Sequence, residues 1–90
     1  MTREELATAS DLLESAAEST DDAEIADRLG DLADQLDTLA ERERAPDHGR
    51  LARIENALGE LREDADEATV ATIDDAEDEI VAFRETIEGV

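Results

Sequence analysis

Four of the chain's eight arginines, Arg42, Arg44, Arg50 and Arg53, fall within twelve residues, and the one histidine, His48, sits among them. Guanidinium groups are always charged and present a planar fork of donors that suits carboxylate and phosphate oxygens. From Glu41 to Glu55 positive and negative charges are equal in number, so the rest of the chain holds the whole net charge of −20. A neutral, arginine-rich tip on so acidic a chain is a candidate contact for an anion, a nucleic acid or an acidic partner. Arg42 and Arg44 also fall near the expected end of a helix, where cations complement the helix dipole. Arg50 and Arg53 have no such explanation, because they belong to the first turns of the next helix, where the dipole disfavours a cation. The competing reading is a solvated tip with local ion pairs to Glu41, Glu43, Asp47 and Glu55.

Other chemistry finds little support. There is no Cys, Lys, Tyr or Trp, which removes thiolates, amines and phenols as nucleophiles. Ser10, Ser15 and Ser19 have no neighbouring His to activate them. His48 lacks a second His and the Glu-x-x-His spacing of a di-iron bundle. The run Asp74-Asp75-Ala76-Glu77-Asp78-Glu79 lacks the glycine of a calcium loop and reads as a face that holds water and monovalent cations. The expectation is no enzyme, no metal and no cofactor. Nucleic acid is disfavoured as a partner, since no aromatic side chain is available to stack on bases beyond the single Phe83.

The elements that must position the tip are helices. A Thr2–Glu5 capping box opens a first helix from about Arg3 to Ser19, with Leu6, Ala9, Leu13 and Ala16 as its stripe. Asp21 and Glu24 suggest a second box, and the apolar phase jumps there, so a turn is expected. A second helix runs from about Asp22 to Arg44 along the heptad seam Ile25, Leu29, Leu32, Leu36 and Leu39. Pro46 ends it and Asp47 caps a third helix carrying Leu51, Ile54, Leu58 and Leu61. Those steps of three, four and three reverse those of the second helix, which suits an antiparallel partner. A fourth helix starts near Asp64 or Asp66 with the stripe Val70, Ile73, Ala76, Ile80, Phe83 and Ile87, and Gly89 ends it. Without Gly or Pro at the junction, a kinked continuous helix through Ala65 is an alternative. Gly30 and Gly59 fall inside helices, where a neighbouring helix could approach closely.

The sequence therefore predicts an all-α protein: residues 1–90 form a single domain, an antiparallel bundle of about four helices arranged as two helical hairpins. The first and third stripes match at an offset of 45 residues, which suggests a duplicated hairpin. About twenty large apolar side chains serve the 90 residues, a thin core that favours completion by a homodimer or another helical protein. Leu12, Val81 and Val90 flank the stripes and would form an adhesive patch if exposed.

Twenty-eight acidic residues against eight arginines make the chain repel itself in dilute buffer. In molar salt the screening length falls to about 3 Å, and the repulsion with it. The absence of lysine points the same way, to a salt-adapted source. No stretch approaches the roughly 18 apolar residues of a membrane span. Met1-Thr2-Arg3-Glu4-Glu5 has no hydrophobic signal core, so a cytoplasmic protein is expected.

Length, acidity, lack of lysine and the long seam around Ala26-Asp27-Arg28-Leu29-Gly30-Asp31-Leu32 resemble an uncharacterised family of small acidic helical proteins from halophilic archaea. The resemblance covers the whole chain. It implies a helical bundle and carries over no activity and no functional residue. The function expected is a non-catalytic protein–protein interaction or structural module. The alternative is a regulatory anion- or nucleic-acid-binding protein using the tip from Arg42 to Arg53.

Overall fold

The computed structural model describes residues 3–44 and 46–87, and the apolar periodicity becomes four helices. These are α1 (Glu4–Ser19), α2 (Ala23–Glu41), α3 (His48–Asp64) and α4 (Glu67–Arg84). Among the described residues there is no strand, and no helix is long and apolar enough to cross a membrane. The fold is the expected all-α bundle of two hairpins, α1–α2 and α3–α4.

Three of the four helix starts are set by an aspartate with extended backbone, whose carboxylate accepts from amides that the helix leaves unpaired. Asp22 accepts from the amides of Glu24 and Ile25 at 3.0 and 3.1 Å. Asp47 accepts from Arg50 at 2.8 Å, and Asp66 from Thr69 at 2.8 Å. The cap of α2 is therefore Asp22, one residue beyond the expected Asp21, and of the two starts expected for the fourth helix, Asp64 and Asp66, it is Asp66 that caps α4. Ala65 is extended (φ −85°, ψ 156°), so α3 and α4 are separate helices and not one kinked rod. The Thr2–Glu5 box involves Thr2, which lies outside the described residues; the N-cap of α1 is Arg3, which supplies no side-chain cap. Gly89 also lies outside them, and α4 ends at Arg84.

Contacts between helices give the directions. Ser10 of α1 donates its hydroxyl to the Ala33 carbonyl of α2 at 2.7 Å, and Arg3 reaches the far end of α2, so α1 and α2 are antiparallel. Arg62 pairs with Asp74 at 2.8 Å, and Arg84 pairs with Glu55, so α3 and α4 run antiparallel too. Arg28 near the start of α2 pairs with Glu60 near the end of α3 at 3.3 Å. The bundle is thus up-down-up-down.

Every seam residue of α2 and α3 is buried: Ile25, Leu29, Leu32, Leu36 and Leu39, then Leu51, Ile54, Leu58 and Leu61. The buried positions of α4 are Thr69, Ile73, Ala76, Ile80 and Phe83, each 44 residues after a seam residue of α2. Thr69 takes the core position expected of Val70, which is half-buried. Asp66 sets the start of α4 by accepting from the amide of Thr69. Ile87 lies beyond α4, turned back against the core.

The bundle is lopsided. α1 lies close against both α2 and α4, whereas α2 and α3 meet only sparsely. Residue size explains this. The stripe of α1 alternates Leu with Ala9 and Ala16, and small residues let helices approach. At the equivalent positions α3 carries Ile54 and Leu61, which hold it away from α2. Close α2–α3 matching, expected from their reversed spacings, is therefore not what closes the core. Gly30 and Gly59 do not mark close approaches, since a Cβ at either would meet nothing within 4 Å.

Candidate functional site

The open α2–α3 side ends at the connection between these helices, and there the arginines gather. A pocket of about 430 Å³ is lined by Leu39, Arg42, Glu43, Arg44, Pro46, Asp47 and Arg50. A second hollow of about 220 Å³ adjoins it, shares Arg50, and adds Leu32, Gln35, Arg53, Ile54 and Ala57. Two of the basic groups come from the segment after α2 and two from the first turns of α3. Arg42 and Arg44 thus stand outside the helix whose last turn they were expected to complete.

That role belongs to Arg3, which the sequence reading did not single out. Its guanidinium donates to the carbonyls of Leu39 at 3.3 Å, Glu43 at 3.2 Å and Arg42. Its amide donates to Ala40 at 3.0 Å. The carbonyls of Leu39 and Ala40 are among those a helix leaves unpaired in its last turn, and those of Arg42 and Glu43 follow directly after α2. The clamp fixes the backbone that carries Arg42 and Arg44. No local pattern could reveal it, because Arg3 and its acceptors are far apart in sequence.

Arg42, Arg44, Arg50 and Arg53 make no side-chain hydrogen bond or ion pair among the described residues, whereas the other four arginines are all engaged. The local ion pairs that would neutralise the tip do not form with them. Glu55 turns to Arg84, and Asp47 is used in capping α3. Four permanent charges therefore face solvent around two adjoining hollows.

His48 is not part of this group. It points toward α4, where Arg84 donates its Nε–H to Nδ1 at 3.0 Å, which leaves the ring proton on Nε2, buried and without a partner among the described residues. The network His48–Arg84–Glu55 ties α3 to α4 and is structural. Along the same interface burial pushes the Glu77 carboxyl up, with Asp74, Glu55 and Asp78 adding to it and Arg62 opposing. Among the described residues no group of three or more His, Asp or Glu is arranged to hold a metal ion.

At the far end of the same α2–α3 side the sign reverses. A hollow of about 340 Å³ there is lined by Asp22, Glu24, Ile25, Arg28, Leu61 and Asp64. The seam residues lie in the chain's own core. Val81 is the exposed large apolar side chain among the described residues, at 44%, and Leu12 is half-buried against the core, so the expected patch does not assemble there; Val90 lies outside the described residues.

A family profile described as a family of unknown function (DUF7553) matches residues 1–86. No curated protein and no solved structure matches the chain.

Proposed function

The chain belongs to this family of unknown function, and from that premise we propose that it is a non-catalytic protein-interaction module of a salt-adapted cell. It grips acidic partners through the end of the bundle that carries Arg42, Arg44, Arg50 and Arg53. One observation carries the reading: among the described residues these four guanidinium groups have no intramolecular partner, while the remaining four do. Arginines that merely balanced a chain of net charge −20 would find carboxylates at every side. Leaving four of them open around an apolar floor of Leu39, Leu32 and Ile54 suits recognition of carboxylates held by another protein. In concentrated salt such contacts act only at short range, which favours a shaped hollow over a diffuse basic patch.

The test is fluorescence anisotropy in molar KCl with a labelled glutamate-rich peptide and, beside it, a labelled single-stranded oligonucleotide. Saturable binding of the peptide, lost in the Arg50→Glu, Arg53→Glu double variant at unchanged helix content, supports the reading. Preference for the oligonucleotide would make the tip a nucleic-acid or anion site instead. No binding of either would end the assignment.

A further inference from the structure

We propose that the α2–α3 face pairs with the same face of a second copy of this chain, related by a two-fold axis, so that each basic end meets the other copy's acidic end. This deepens the reading of the arginine tip by naming its first acidic partner. The face is polar along its length. At one end four arginines stand against two carboxylates, Glu43 and Asp47. At the other, Asp22, Glu24 and Asp64 line a hollow with Arg28, whose guanidinium is already paired with Glu60. The two ends are opposite in sign. An occupant must carry the complementary polarity over the same length. A second copy does so by construction, because a two-fold axis across the face brings unlike ends together at both sites.

Packing supports the same occupant. α3 stands off from α2, and apolar atoms of Leu32, Leu39, Ile54, Ala57 and Leu61 line the hollows between them. Of the neighbouring helix pairs, the backbones of α2 and α3 approach each other least, although their seam side chains are buried. Two chains of net charge −20 repel strongly in dilute buffer. In molar salt the repulsion is screened beyond about 3 Å, while charges in contact across the face still attract. The salt that suits the monomer therefore permits the pairing.

The experiment is sedimentation equilibrium of the full chain in molar KCl across a concentration series, with circular dichroism of every sample. The wild type is expected to approach twice the 9.8 kDa of one chain. Arg50→Glu, Arg53→Glu makes the basic end acidic, and Glu24→Arg, Asp64→Arg makes the acidic end basic. Each variant alone is expected to weaken association by at least about tenfold. Mixed together, they restore unlike ends at both contacts, and the heterodimer should recover most of the wild-type affinity. A wild type that stays monomeric at all concentrations overturns the proposal. So do helical variants that dimerise as well as the wild type, or that fail to associate when mixed. If the chain is monomeric yet the glutamate-rich peptide binds at the arginines, only the self-pairing falls; if neither occurs, the reading of the tip falls with it.

Discussion

Replacing Arg3 with Gln separates the structure from the simpler reading of where α2 finds its terminal cation. The guanidinium of Arg3 meets three carbonyls at the end of α2, and that of Leu39 is partly buried. Fully buried hydrogen bonds to a charged group contribute about 1.5–3 kcal/mol each. Here the group is half-exposed, and two of its acceptors can turn to water. A cation at a helix C-terminus contributes roughly 0.3–1 kcal/mol at the surface and up to about 2 in partly buried geometry. The expected loss for Arg3→Gln is therefore about 1–2 kcal/mol, or roughly 5–15 °C in a domain of this size. Arg42→Gln and Arg44→Gln each change the net charge equally but touch no helix carbonyl, and each should cost under about 0.5 kcal/mol. Thermal melts followed by circular dichroism in molar KCl compare the three at matched net charge, so general self-repulsion cancels. An Arg3 variant as stable as wild type, or an Arg42 variant that loses as much, would refute the clamp.

Three other outcomes can be measured in the same buffer. Gly30→Ala and Gly59→Ala should each stabilise the protein by about 0.4–1 kcal/mol, since the added methyl meets open space and helix propensity improves; a lower melting temperature would show that a neighbour does press on that position. Glu77→Gln should stabilise the fold at neutral pH. The raised carboxyl of Glu77 contributes stability that is full below its unfolded value and lost as pH rises through its folded value. The gain over wild type should therefore vanish when the pH falls below the ordinary carboxylate range, and a gain independent of pH would count against burial of the charge as its cause. Helix content of the wild type should rise steeply as KCl is added, because the net charge of −20 opposes compaction; full helicity in salt-free buffer would remove the argument for a salt-adapted chain.

Much of the architecture was readable from periodicity. Seam positions of α2 and α3 stand three and four apart, and all of them are buried. Asp47 at the start of α3 was readable as well, because an aspartate after Pro46 satisfies amides only a few residues away. Errors arose where two local signals competed within a turn. Asp21 and Asp22 are adjacent, as are Thr69 and Val70, and one residue of phase decides which faces inward. The arginine tip was legible as a cluster, since Arg42, Arg44, Arg50 and Arg53 are close in sequence. That His48 leaves the cluster was not, because its partner Arg84 comes from another helix.

Composition and spacing alone determined that the chain is helical, acidic and equipped with a concentrated group of arginines, because these properties follow from side-chain type and near-neighbour geometry. Only the tertiary structure decided which arginines remain open. Arg3, Arg28, Arg62 and Arg84 find their acceptors on other helices, and no local rule anticipates a contact that exists only once distant segments are packed. The uneven bundle has the same origin: alanines on α1 draw two neighbours close, larger residues on α3 keep α2 at a distance, and the charged hollow lies where the helices part.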